Sequence, residues 1–167
     1  MNLIESLLLG LLQGATEFLP VSSSGHLVMS RYLFDIENIP LLFDILLHVS
    51  TLVAVVLVFR RRIIAILVSL VRFVRRQNTA DDRVNLKLFL LIMLATVCTG
   101  IVGALLSLLD AELHPKLVSS LFIVTGAILI GTKFMHGTKR YGDIGVKEGV
   151  AAGIAQGIGV LPGISPS

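Results

Sequence analysis

Apolar residues run through this chain in long blocks, not at amphipathic spacing. Three blocks are long enough for spanning helices, which need about 20 mostly apolar residues. They are Leu41 to Phe59, Leu86 to Leu109 and Leu117 to Met135. A shorter block, Ile63 to Val74, holds Arg72 and predicts a separate interfacial or partly inserted helix. Two further apolar segments, 3–32 and 146–167, are each interrupted near the middle by proline, glycine and serine. Irregular backbone at membrane depth is tolerated only inside protein or along a polar cavity. Both segments are therefore expected to be re-entrant hairpins.

Composition supports a membrane protein. Hydrophobic residues make up 54% and charged residues 15%, against about 25% charged in soluble domains. Mean hydropathy is +0.90. The N-terminus lacks the basic stretch of a signal peptide and is expected to belong to the mature chain. The single cysteine, Cys98, excludes an intrachain disulfide and reads as a structural thiol.

The placement of charge says more than the net +3. Arg60, Arg61, Arg62, Arg72, Arg75, Arg76, Arg83 and Lys87 lie between the first and second spans. Lys133, Lys139, Arg140 and Lys147 cluster at the end of the third and beyond it, while the Asp110–Lys116 turn has one lysine. The positive-inside rule makes the two basic loops cytoplasmic and the short turn external. These basic residues read as topology signals and lipid-headgroup anchors, so no nucleic-acid partner is expected. The first hairpin then enters from outside and the second from inside.

The two broken segments also resemble each other. Leu11-Leu12-Gln13-Gly14 followed by Leu19-Pro20 and Ser22 is echoed by Ile154-Ala155-Gln156-Gly157 followed by Leu161-Pro162 and Ser165. Gln and Ser are nine apart in both. Opposite insertion plus internal similarity predicts an inverted repeat, a plan that builds sites where broken helices meet. The expected organisation is one all-α, polytopic transmembrane domain over 1–167. Its first repeat covers 1–135, and 146–167 begins a second re-entrant motif.

Candidate chemistry concentrates in Gln13 to His26. Glu17 lies one turn after Gln13, and a carboxylate at a helix centre in a membrane costs about 3 kcal/mol on insertion scales, so it should face a cavity, a cation or a partner. Pro20 stops the helix. Ser22, Ser23, Ser24 and Gly25 then offer hydroxyls and helix-start N–H groups to an anion, with Gly25 allowing close approach to a phosphate. Ser23 or a neighbour can attack phosphorus with His26 handling the proton, and Glu17 can hold a divalent cation. Taken singly, the serine run reads as a helix cap and His26 as a structural histidine; their concurrence with Glu17 on one segment favours a site. Asp44 and His48, four apart, read as a structural pair. Gly100 to Ala104 and Gly126 to Gly131 read as helix-packing surfaces.

The stretch Glu17-Phe18-Leu19-Pro20-Val21-Ser22-Ser23-Ser24-Gly25-His26 closely resembles the undecaprenyl-diphosphatase, or bacitracin-resistance, family. Phe43-Asp44, His48 and Thr51 resemble its next helix, and Gln156-Gly157 with Leu161-Pro162-Gly163-Ile164-Ser165 resembles its second motif. The resemblance implies hydrolysis of undecaprenyl diphosphate to the monophosphate with Mg or Ca, in the bacterial plasma membrane, at a site open to the outer face. It implies Glu17, Ser23 and His26 as catalytic residues and Glu17 as metal ligand. Ser22, Ser24, Gly25 and Ser165 would bind phosphate, with Gln13, Asp44, His48 and Gln156 in support. The expected partners are the polyprenyl diphosphate lipid and the bilayer, with a homodimer left open.

Two departures stand out. Gln13 occupies a position where the family also accepts glutamate, and it carries neither proton nor charge. Pro166 stands where the family has an arginine that would clamp the diphosphate. The resemblance also implies further spans beyond Ser167, so the second repeat is truncated and this polypeptide is expected to be weak or inactive. A lipid or ion transporter on the same repeat plan is the competing class; it leaves the Ser-Ser-Ser-Gly-His cluster unexplained. The other membrane phosphatase superfamily with a Ser-Gly-His signature requires an Arg-Pro dipeptide, which the sequence lacks.

Overall fold

The computed structural model describes residues 2–36, 39–77, 79–108, 115–134, 137, 139 and 141–165. Among them every regular element is helical: α1 (Leu3–Thr16), α2 (Ser23–Leu33), α3 (Leu41–Val74), α4 (Ala80–Ser107), α5 (Pro115–Thr132) and α6 (Val146–Ile158), with a 3₁₀ turn at Tyr141–Asp143.

Helices α3, α4 and α5 are long and apolar enough to cross a membrane, with mean hydropathy of 2.5, 2.5 and 1.6 over their most apolar windows. Little of those windows is buried within the chain, at most 11%. Side chains such as Val58 and Ile123 therefore present outward faces suited to hydrocarbon. The expected separate helix over Ile63–Val74 does not exist. Helix α3 runs unbroken for 34 residues, about 51 Å at 1.5 Å per residue. The arginines end the apolar run without ending the helix, because arginine is a good helix former and no glycine or proline intervenes. Arg72 reaches Asp82 at 3.6 Å.

Asp82 organises the α3–α4 corner. Its carboxylate accepts from Ser69 Oγ at 2.7 Å, Thr79 Oγ1 at 2.7 Å and Thr79 N–H at 2.8 Å, closing a capping box on α4. Asn85 Nδ2 donates to Ser69 Oγ at 2.9 Å. Asp82 and Ser69 are both buried, so the corner is satisfied internally.

Helix α6 lies along α4 through Gly149, Gly153 and Gly157, spaced four apart on one face. A Cβ on Gly153 would meet Ala95 O at 2.6 Å, and one on Gly157 would meet Val102 Cβ at 2.5 Å. Thr99 Oγ1 donates to Gly153 O at 3.0 Å across the contact. This is the small-residue packing of membrane helices. The sequence predicts such packing at Gly100–Ala104 and Gly126–Gly131 instead. There, Gly100, Gly126 and Gly131 meet nothing within 4 Å, and Gly103 touches Val160 at 3.7 Å.

Glu148 anchors the start of α6. It pairs with Lys139 and accepts the Gly145 N–H at 2.8 Å. The Lys139 hydrogen bond, with the backbone donors, lowers its carboxyl from 4.5 to about 2. Because the folded value is depressed, the stabilisation is complete above about pH 4.5 and is lost as pH falls towards 2. Thermal unfolding of the wild type in detergent should therefore show a fall in midpoint between pH 5 and 2 that is smaller in Glu148→Gln. Parallel curves for the two proteins would exclude this linkage.

The Leu9, Leu27 and Leu47 side chains form a buried cluster joining α1, α2 and α3, flanked by Leu12, Ile36, Ile39 and Phe43. It fixes the α1–α2 turn against α3, and that turn carries the site.

Candidate active site

Glu17 sits at the C-terminal end of α1, beyond the last regular turn and ahead of Pro20. Gln13, one turn earlier, is buried, with 1% exposure. Its amide Nε2 donates to Glu17 Oε2 at 2.9 Å and lies 2.9 Å from His48 Nδ1 on α3. Ser23, the first residue of α2, donates its hydroxyl to the same Glu17 Oε2 at 2.5 Å. A hydroxyl, a carboxylate, an amide and an imidazole are thus chained together at the helix break. They border a cavity of about 400 Å³ lined by Glu17, Ser23, Ser24, His48, Gln156, Gly159 and Val160. The last three come from α6 and the second broken motif, so both motifs contribute to one concave surface.

Ser22 makes the junction between them. Its backbone is left-handed at φ 62°, and its hydroxyl accepts the N–H of Gly25 at 3.3 Å and that of Gly163 at 2.9 Å, 141 positions away. Gly163, at φ +101°, passes so close that a Cβ on Gly25 would lie 2.7 Å from its nitrogen. Thr125 Oγ1 on α5 donates to Gly163 O at 2.6 Å.

Several expected placements change. Ser22 is fully buried and engaged by backbone donors, and Gly25 approaches the Gly163 backbone; neither lines the cavity. His26 also lies off the lining. Its Nδ1–H donates to Ser22 O at 2.9 Å and its ring meets Phe122 edge-on, centroids 4.8 Å apart. Asp44 and His48 do not pair with each other: Asp44 forms a two-pronged ion pair with Arg31 of α2, and His48 turns to Gln13. Ser165 borders a separate small cavity with Pro20, Thr125 and Ile128. Pro166 lies outside the described residues. Arg31, Phe122 and Thr125 carry no local signal in the sequence, and only the three-dimensional packing brings them to the motifs.

Among the described residues no group of three or more His, Cys, Asp or Glu side chains could hold a metal. The cavity lining offers one carboxylate, two hydroxyls, an imidazole and an amide. Glu17 is the carboxylate there that could hold a divalent cation, Mg or Ca, with water and substrate phosphates completing its shell.

The family model described as bacitracin resistance protein BacA matches residues 6–167. The chain belongs to this family. An undecaprenyl-diphosphatase of Treponema denticola is 41% identical over 167 residues, covering 100% of this chain and 62% of that protein. One from Borrelia recurrentis is 37% identical over 168 residues, covering 99% and 63%. Undecaprenyl-diphosphatase 2 of Halalkalibacterium halodurans is 33% identical over 171 residues, covering 100% and 61%. The chain thus spans about three fifths of the length of these relatives. No solved structure matches it.

Proposed function

We propose that this chain carries the catalytic motif of a membrane phosphatase that hydrolyses undecaprenyl diphosphate to the monophosphate and phosphate, returning the lipid carrier to cell-wall synthesis. The observation that carries this reading is the Ser23 hydroxyl held 2.5 Å from Glu17 Oε2 within a cavity lined from both broken motifs. The similarity to proteins described as undecaprenyl-diphosphatases supplies the substrate.

Ser23 Oγ attacks the terminal phosphorus while Glu17 takes its proton. The bond from that phosphorus to the bridging oxygen breaks, and the lipid monophosphate leaves with that oxygen. Glu17 passes that proton to the departing oxygen; it then takes one from the water that attacks the phosphoserine and returns it to Ser23 Oγ as the phosphorus–Oγ bond breaks, releasing inorganic phosphate. The geometry favours Glu17 over His26 as the base for Ser23, because the Ser23 hydroxyl donates to Glu17 and His26 lies off the cavity lining. The Ser24 hydroxyl and the N–H groups of Ser23 and Ser24 at the start of α2 supply donors for the phosphate oxygens. Glu17 would hold the divalent cation, Mg or Ca, which would supply neutralisation of diphosphate charge. The basic residues between the first and second spans support a multi-pass protein with that loop cytoplasmic, and the family resemblance supplies the bacterial plasma membrane and a site open to the outer side.

The test is phosphate release from undecaprenyl diphosphate by the protein reconstituted in vesicles with magnesium. Slow release of one phosphate per lipid, with monophosphate as the other product, is expected, since Pro166 stands where the family's arginine would clamp the diphosphate. Passage of the intact diphosphate across the bilayer without phosphate release would favour a transporter instead.

A further inference from the structure

Gln13 Nε2 lies 2.9 Å from both Glu17 Oε2 and His48 Nδ1. Where it faces a carboxylate, which only accepts hydrogen bonds, the amide must present nitrogen and not oxygen. The two amide hydrogens are then directed to Glu17 and to His48. His48 Nδ1 must accept, so the imidazole is neutral and its proton sits on Nε2. The amide oxygen, Gln13 Oε1, is buried without a partner. A buried orphan acceptor costs free energy, so the amide orientation is imposed by its nitrogen contacts and not by its oxygen. His48 itself borders the cavity beside Ser23 and Ser24.

We infer that His48 is a diphosphate-binding hydrogen-bond donor, acting through Nε2–H, and that Gln13 is the positioning residue that fixes this tautomer. The assignment of the anion as the substrate diphosphate rests on the phosphatase reading. No proton need leave His48: a neutral donor aimed at a phosphate oxygen stabilises charge that grows as the bridging bond breaks. Gln13 does what glutamate could not do in the same way. A carboxylate at position 13 would accept from Nδ1–H and draw the imidazole proton away from the cavity side.

The test uses the full chain with ¹⁵N-labelled histidine in lipid nanodiscs at one fixed, mildly alkaline pH. The His48 resonances, assigned through His48→Gln, should show a bare Nδ1 and a protonated Nε2; Gln13→Glu should move the proton to Nδ1. A wild-type His48 already protonated at Nδ1 overturns the positioning role. Methylenediphosphonate with magnesium, a diphosphate group that cannot be cleaved, is the ligand probe. It should shift the His48 Nε2–H resonance. His48→Ala should weaken its binding about tenfold or more, the loss expected for one hydrogen bond to a charged group. His48→Gln, whose amide places a donor near the Nε2 position, should retain most of the affinity. Unchanged binding in His48→Ala, or no binding to the wild type, overturns the donor role. If the tautomer and the binding hold while undecaprenyl diphosphate is not hydrolysed, the phosphatase reading fails and the donor assignment stands.

Discussion

Replacing Ser23 with alanine is expected to lower the rate of phosphate release by about 10³-fold or more, with little change in KM. The hydroxyl is the group in the cavity placed against a general base, 2.5 Å from Glu17 Oε2. Its loss removes the attacking atom while leaving the cavity wall in place. Glu17→Gln should cost nearly as much, since an amide cannot take the proton. The double variant should be scarcely worse than either single one, because the pair acts as a unit. Ser24→Ala, which removes a cavity hydroxyl without that carboxylate contact, should cost about tenfold. Reconstituted vesicles assayed for phosphate give the rates. Brief incubation with substrate labelled in its terminal phosphate, followed by denaturation, should trap label on the wild type and none on Ser23→Ala. A Ser23→Ala protein retaining a tenth of wild-type activity would rule the serine out as nucleophile and point to direct attack by water.

The parts of this site that were legible in the sequence are those that depend on one local segment. The helix break followed from Pro20, and the placement of Glu17 at a cavity followed from the cost of a carboxylate in hydrocarbon. The three long helices followed from run length alone. What could not be read depends on partners far away in the chain. Asp44 and His48 have the spacing of a helical pair, yet Arg31 and Gln13 outcompete that pairing, 13 and 35 positions away. The end of an apolar run marks where hydrocarbon must end, not where a helix must, so α3 passed through Arg60–Arg62 undetected. The glycines that pack were hidden in a segment read as irregular, although Gly149, Gly153 and Gly157 carry a regular four-residue spacing. Ser22 and Gly25 have residue types that suit both a phosphate cradle and a close backbone crossing. Only the position of Gly163 decides between them.

That crossing makes Gly25→Ala the substitution expected to harm the fold most for its size. The added Cβ would lie 2.7 Å from Gly163 N and 2.8 Å from Phe122 Cζ. The phenyl ring can turn away, but the Gly163 backbone is held by the Ser22 hydroxyl on one side and Thr125 on the other. The two motifs must therefore separate, at a cost of about 1–3 kcal/mol, the range for overpacking a tight contact. Unfolding in detergent should show a clear fall in midpoint. Gly14→Ala, where an added Cβ meets nothing within 4 Å, should be neutral or slightly stabilising, since alanine is the better helix former. Ser22→Ala strands the Gly163 N–H and should cost about 1–3 kcal/mol. Combining Ser22→Ala with Gly25→Ala should cost less than the sum, because both disrupt one junction. The cavity draws Glu17 and Ser23 from one motif and Gln156 from the other, so the same variants should also weaken methylenediphosphonate binding. Wild-type stability in Gly25→Ala would mean that the two motifs do not meet at this crossing.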